Sequence, residues 1–450
     1  MQDLKHISKK KRLTRLNVSK RDGEPSRDPH RSLIESRSDR KRLRVVLPII
    51  ALLLAAYPAF HLLVSAKNAL SSVKKNAAAT ANKPEPYKDL DTWQSFRLAA
   101  DVLPASRFEA DQLLAPLPDG GTVVYSIDET LQQRVTRVME EYKVPYGVFV
   151  AIEPKTGRVL ALVGHSTLDP SWEKNACYNL YPMASLFKII TATAALEQKK
   201  VSPDTVFAFN GKLTSENPKY WGVTTRRKGQ EMPLAVAMGK SVNPVFGRLA
   251  SDVVGKDSLV SCAERFGFNQ SLFPGTPVTP SRAAIPHTND ELRLMGAGLG
   301  REVKISPIHV AAVMAAIAND GVMMAPSLAQ EIRNGRGERV FVQKPQQLKR
   351  LVAPETTGQL ARMLSTTVNS GTSRKAFHDR RGRPMLASVN IAAKTGSIDG
   401  KDPAGHYSWF AAYAPIEDPQ IALVALVINQ NTWRIKATHV GEKALEAFFK

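Results

Sequence analysis

The stretch GVFVAIEPKTGRVLALVG, residues 147–164, decides the fold. Two apolar runs, Gly147–Glu153 and Arg158–Gly164, flank the turn Pro154-Lys155-Thr156-Gly157. Apolar runs of this length, bounded by Pro and Gly, predict a pair of adjacent strands. A helix over Leu131–Glu141 precedes them. Three more strands are expected late in the chain, at Val389–Thr395, Tyr407–Ala414 and Ile421–Asn429, and a helix over Ala437–Phe449 ends it. A long, mostly helical stretch occupies residues 184–370. Strands at both ends with helices between them imply an α/β (α+β) fold. One sheet is assembled from distant segments, and a helical subdomain is inserted into it. Val, Ile, Ala and Leu dominate the strands, so helices are expected on both faces.

Three short motifs fall inside this frame. Ser185-Leu186-Phe187-Lys188 opens the apolar helical run SLFKIITATAALEQ. Residues i and i+3 share a helix face, so the hydroxyl and the amine can meet. A serine hydroxyl is scarcely ionised at neutral pH and needs a base. A lysine serves only when neutral, which burial and a second nearby ammonium both favour. Ser-x-x-Lys also occurs at Ser8, Ser38, Ser71, Ser72 and Ser171, but only Ser185 joins a preceding turn to an apolar helix.

Ser241-Val242-Asn243 lies between two apolar stretches, and Pro244 suits the first turn of the second. The triplet is therefore placed on an interhelical loop, where a hydroxyl and an amide can project into a cleft. Ser215 and Ser388 open rival triplets; Ser388 leads into a strand and Ser215 lies in a polar loop. Lys394-Thr395-Gly396, followed by Ser397, ends the apolar strand VNIAAKTGS. As a sheet edge it would offer an ammonium, a hydroxyl and backbone groups to an extended peptide with a free carboxylate. The same three letters at Lys155-Thr156-Gly157 are read as turn chemistry.

The chain has 450 residues, 43% of them hydrophobic, and a formal net charge of +21. This balance is globular. Cys177 and Cys262 exclude a disulfide scaffold and a Cys-based zinc cluster, leaving one bridge or two thiols open. The nine His residues form no HExxH, so a zinc site is not expected. His406 is a candidate for lining the cleft.

Residues 1–44 hold 15 Lys/Arg against 6 Asp/Glu. A nucleic-acid arm is one reading of such a tail. The 22 residues from Val45 to Ala66 argue for another, because they carry no formal charge. A helix of that length crosses a bilayer core of about 30 Å. Basic residues on its N-terminal side then keep that side cytoplasmic, near anionic lipid headgroups. The expected organisation is a basic cytoplasmic tail over 1–44, a membrane helix over 45–66 and a linker over 67–118. A compact extracytoplasmic unit follows over 119–450. A cleaved signal peptide competes with the anchor, although 44 residues make a long n-region. Residues 91–118 should contain helical fragments at Leu98–Leu103 and Phe108–Leu114.

The order Ser185, Ser241, Lys394, each motif in its expected context, resembles the transpeptidase domain of penicillin-binding proteins. The resemblance extends over residues 121–450. It includes Phe149–Val163, Gly300 with Ile305-Ser306-Pro307, Ala315–Gly321, and Trp409–Pro415. Ser185 follows Met-Ala where Pro-Gly is commoner in the family, and Ser397 stands where Thr is frequent.

The resemblance implies a five-stranded antiparallel sheet flanked by helices with an inserted all-α subdomain. It implies a serine D,D-transpeptidase needing no metal or cofactor. Ser185 would be the nucleophile and Lys188 its base. Ser241 would relay the proton to the leaving D-Ala, Asn243 would hold Lys188 and a substrate amide, and Lys394 would keep the site electropositive. Thr395 would bind the terminal carboxylate. The N–H groups of Ser185 and Ser397 would form the oxyanion hole, beside Gly396.

Expected partners are peptidoglycan stem peptides, β-lactams as covalent inhibitors, inner-membrane lipids, and a separate glycosyltransferase or division and elongation proteins; nucleic acid is not among them. Residues 67–118 are too few for a second enzymatic domain. A D,D-carboxypeptidase, a β-lactamase and a non-enzymatic penicillin sensor are the alternatives.

Overall fold

The computed structural model describes residues 56–74, 87–223 and 229–450. The chain divides into two units, Met1–Pro84 and Glu85–Lys450. In the first, residues 56–74 form helix α1. The membrane span expected over 45–66 falls partly outside the described residues, and among the described ones no helix is long and apolar enough to cross a membrane.

The second unit opens with α2 (Thr92–Val102), whose N-cap Asp91 accepts from the N–H groups of Trp93 and Gln94 while Gln94 returns a bond to the Asp91 N–H. This reciprocal box satisfies donors that a helix start otherwise leaves orphaned. Strands β1 (Arg107–Glu109) and β2 (Gln112–Pro116) follow, joined through Ala110 and Asp111, both at positive φ. Two consecutive left-handed residues make a tight hairpin turn. Phe108–Leu114 is therefore a hairpin and not the expected helical fragment. The segment is also integral to the unit: Phe96, Ala99, Leu113, Ala115 and Leu117 are buried in the main core. Residues 87–118, read as linker from sequence, belong to the folded body.

Next come β3 (Thr122–Tyr125), α3 (Glu129–Glu141), β4 (Tyr146–Ile152) and β5 (Val159–Ser166). The short β6 (Tyr181–Pro182) leads into a 3₁₀ turn (Ala184–Phe187) and α4 (Lys188–Glu197). The inserted subdomain continues with β7 (Val206–Phe209), β8 (Gln230–Pro233), α5 (Leu234–Gly239), α6 (Asn243–Arg248), α7 (Lys256–Arg265) and α8 (Asn289–Gly296). It contains the β7–β8 hairpin, so it is not all-α. After β9 (Lys304–Ile305) and α9 (Pro307–Ala318) come β10 (Val322–Met324), β11 (Ala329–Arg333), β12 (Arg339–Val342) and β13 (Gln347–Arg350). These strands interrupt the stretch expected to be helical as far as residue 370. Then α10 (Pro354–Asn369), α11 (Arg374–Phe377), β14 (Ala392–Lys401), β15 (Ala404–Ala414), β16 (Ile421–Asn429) and α12 (Ala437–Phe449) complete the chain.

The central sheet has the order β14-β15-β16-β4-β5, every neighbour antiparallel. At the β16–β4 junction, strands from distant parts of the sequence pair, as the apolar runs predicted. Every residue of β16 is buried. Alternate side chains serve two cores: Ala422, Val424, Leu426 and Ile428 pack on the α9 side, and Leu423, Ala425 and Val427 join Leu131, Val135 and Val138 of α3. A second antiparallel sheet, β1-β2-β3-β11-β12, was not foreseen. Its strand β11 buries Ala329, Glu331 and Ile332 and pairs with β3 more than 200 residues earlier. The central sheet leaves β14 as an edge, and that edge faces the 3₁₀ turn carrying Ser185.

Candidate active site

Ser185 sits in the 3₁₀ turn and Lys188 begins α4. With three residues per turn, i and i+3 eclipse, so the tighter winding aims hydroxyl and amine at each other. Lys188 Nζ lies 2.7 Å from Ser185 Oγ. It also donates to Asn243 Oδ1 at 2.8 Å and to the Ala297 carbonyl at 2.5 Å. Lys188 is fully buried and has no carboxylate partner among the described residues. Burial, followed by the charge of Lys394, lowers its pKa well below the ordinary value. A neutral amine has two N–H donors and one lone pair. Asn243 and Ala297 offer only carbonyl oxygens, so they take the two donors. In that neutral form the lone pair would be free for the Ser185 proton.

The loop between α5 and α6 carries Ser241, at φ +56°, and Asn243, the first residue of α6. Ser241 Oγ accepts from Lys394 Nζ at 2.8 Å, and Lys394 also donates to the Thr395 carbonyl at 2.8 Å. Lys394 is fully buried, and desolvation lowers its pKa to about 7. Two buried lysines thus belong to one site, and the charge of Lys394 opposes protonation of Lys188.

Packing holds these parts together. Met183 N–H donates to the Val303 carbonyl at 2.9 Å, and Trp409 Nε1 donates to the Pro182 carbonyl at 2.9 Å. Thr191 Oγ1 of α4 reaches the Gly296 carbonyl at 3.0 Å. Gly298, at φ +72°, approaches so closely that a Cβ there would stand 2.3 Å from the Ala184 carbonyl oxygen. Gly396 passes the same turn: its Cβ would lie 3.4 Å from Ser185 N and 3.2 Å from Ala184 Cβ. Glycine lets the edge strand run against the backbone of Ser185.

Ser185, Ser241, Asn243, Thr395, Gly396 and Ser397 line one cleft of about 340 Å³. The rival motifs do other work. Ser215 accepts from Trp221 Nε1 at 3.1 Å, Ser171 donates its N–H and hydroxyl to the helix-capping carboxylate of Asp169, and Lys155 pairs with exposed Asp418. His406 does line the cleft and lies 2.7 Å from Asp399 Oδ1 through Nδ1. Cys177 and Cys262 are free and buried.

Sequence reading missed Thr372, whose hydroxyl lies 2.6 Å from that of Thr395. Its only signal was the small-residue run Ser370-Gly371-Thr372. Gly371 packs so tightly on Gly239 that a Cβ would sit 2.1 Å from the Gly239 carbonyl oxygen, and Thr372 N–H donates to that carbonyl at 3.0 Å. The Ala297 carbonyl left no side-chain signal at all.

The site has the parts of a serine acyltransferase with a lysine base. The matching family is the penicillin-binding protein transpeptidase domain, over residues 147–450, and the chain belongs to it. Among curated relatives it is 29% identical over 358 residues to the peptidoglycan D,D-transpeptidase PbpA of Mycolicibacterium smegmatis, covering 71% of this chain and 70% of that protein. Identity to PbpA of Mycobacterium tuberculosis is 27% over 373 residues, covering 73% of each chain. The crystal structure of PBPA from M. tuberculosis superposes with a TM-score of 0.61 at 25% identity, covering 73% of this chain and 82% of that one. Its penicillin G acyl-enzyme complex gives 0.59 at 25% identity, covering 74% and 81%.

Proposed function

We propose that this chain is a serine D,D-transpeptidase that cross-links peptidoglycan stem peptides through an ester on Ser185. The observation that carries the reading is the placement of Lys188, fully buried with Nζ 2.7 Å from Ser185 Oγ and in reach of Asn243 Oδ1 and the Ala297 carbonyl; as a neutral amine it would give its two N–H groups to those oxygens and keep its lone pair for the Ser185 proton. Lys188 takes the hydroxyl proton as Oγ attacks the carbonyl between the last two D-Ala residues. Gly396 brings Ser397 and its N–H alongside that of Ser185, so both can donate to the oxyanion. Each such donor is worth about 3 kcal/mol. Ser241, held by Lys394, passes a proton to the leaving D-Ala amine. Thr395, with Thr372 beside it, receives the terminal carboxylate. An amine from a neighbouring stem then attacks the ester and restores the Ser185 hydroxyl. β-Lactams acylate the same serine and present a ring nitrogen where the leaving amine would depart.

Residues 45–66 anchor the chain in the inner membrane, with the basic tail cytoplasmic and the catalytic unit outside. A separate glycosyltransferase supplies the glycan strands.

Residues 67–450, with and without Ser185→Ala, are incubated with penicillin and weighed intact. The parent gains the mass of one penicillin and keeps it; the variant gains none. An adduct that survives Ser185→Ala removes the nucleophile assignment, and rapid drug turnover makes the protein a β-lactamase. Incubation with a pentapeptide and an acceptor amine then distinguishes cross-linking from trimming by whether the product contains the acceptor.

A further inference from the structure

A second cavity, of about 490 Å³, opens beside the catalytic cleft and shares Arg301 and Asp399 with it. Tyr181 and Pro182, just upstream of Ser185, form one wall; Gly400 and Lys401 at the end of β14 form another. Four basic side chains surround it: Arg282, Arg301, Lys304 and Lys401. Among the described residues none of the four is in an ion pair. Glu302 and Asp402 also line the cavity without an ion pair, and Asp399 is turned to His406.

Two of the cations are held together by the backbone. Arg282 and Lys304 lie directly opposite each other in an antiparallel bridge and exchange both N–H···O bonds at 2.8 Å. Like charges at directly opposed positions repel. Lys304 is also in register with Pro182, three residues before the nucleophile. The fold thus keeps two unpaired cations side by side at the edge of the cleft, where an anion between them would relieve the repulsion.

The course of a bound peptide leads there. A peptide antiparallel to edge strand β14, with its C-terminal carboxylate at Thr395, extends upstream toward residues 399–402. Strands rise about 3.4 Å per residue, so the two or three residues before the scissile D-Ala pair arrive at this cavity.

We propose that the cavity bounded by Arg282, Lys304, Arg301 and Lys401 binds a carboxylate carried by the donor peptide upstream of its D-Ala-D-Ala end. The assignment rests on the transpeptidase reading and adds a substrate class to it: stems with a free upstream carboxylate, in preference to amidated ones.

The test uses residues 67–450 and two synthetic pentapeptides ending in D-Ala-D-Ala. One carries free upstream carboxylates and the other carries the same groups as carboxamides. Penicillin titration counts competent sites in every preparation, so loss of folding is separated from loss of recognition. The expected parental kcat/KM favours the acidic peptide by about 10-fold or more at low ionic strength, and salt shrinks that preference. Arg282→Gln with Lys304→Gln brings the ratio close to one, and Arg282→Lys keeps it. Equal use of both peptides by a parent that penicillin does acylate overturns this inference and leaves the proposed function standing. A preference that persists in the double variant overturns it as well. A parent that penicillin does not acylate sinks the proposed function first, and the subsite with it.

Discussion

Gly298→Ala should disable the nucleophile without touching a catalytic group. The new methyl would stand 2.3 Å from the Ala184 carbonyl oxygen, 2.7 Å from its carbon and 2.8 Å from Ser185 Cα. All three are backbone atoms, so no rotamer change relieves the contact. The turn carrying Ser185 must retreat by roughly 1 Å, a misplacement that can cost about 100-fold in rate. That corresponds to about 2.7 kcal/mol of activation free energy. The left-handed backbone adds a separate penalty of about 1–2 kcal/mol to stability. Gly275→Ala isolates this second effect: it has the same φ of +72° and nothing within 4 Å of its Cβ. Stopped-flow acylation by a chromogenic β-lactam, alongside thermal melts, gives both quantities. Both variants should melt lower, and only Gly298→Ala should acylate about 100-fold slower. Parental acylation in Gly298→Ala would refute the argument that this contact sets the position of Ser185.

Three other outcomes are expected. Lys188→Met removes the proposed base and should slow penicillin acylation by about 10²–10⁴-fold, read by intact mass against time; a parental rate would assign the proton to another group. Thr372→Val removes the hydroxyl beside Thr395, and since a hydrogen bond to a charged group contributes about 1.5–3 kcal/mol, acylation should fall by about 10- to 100-fold. An unchanged rate would leave Thr372 a purely structural partner. Lys394 has a folded pKa of about 7 against 10.5 for the free group. Between those values the unfolded chain binds more protons, so stability rises with pH across the window. Urea unfolding at about pH 7 and about pH 9 should show the rise in the parent and a flatter profile in Lys394→Met; equal slopes would contradict the burial argument.

The central sheet was legible because it is buried on both faces. β16 spans Ile421–Asn429 and α12 spans Ala437–Phe449, the ranges the apolar pattern marked. Ser185 stood out from five similar tetrapeptides because it alone opened an apolar helix. The second sheet was hidden for the opposite reason. β1 and β12 are short and half-exposed, and their pairing partners, not their own composition, make them strands. Ala110 gave no turn signal because alanine does not advertise a positive φ. Thr372 reaches the cleft through a glycine–glycine contact between α5 and the residues after α10, which local pattern does not encode. The charge in the second cavity was likewise invisible, since Arg282 and Lys304 become neighbours only through the bridge.

The coordination of Lys188 has a bearing on the later half of the cycle. Once protonated, the amine has three hydrogens and three oxygens to receive them: Ser185, Asn243 and Ala297. Esterification turns the Ser185 oxygen into a poor acceptor, so one hydrogen is stranded in a dry enclosure. Bond formation at the serine therefore evicts the proton it has just released. In the proposed mechanism the departing amine takes up a proton by way of Ser241, and the reaction is pushed forward by the loss of a seat.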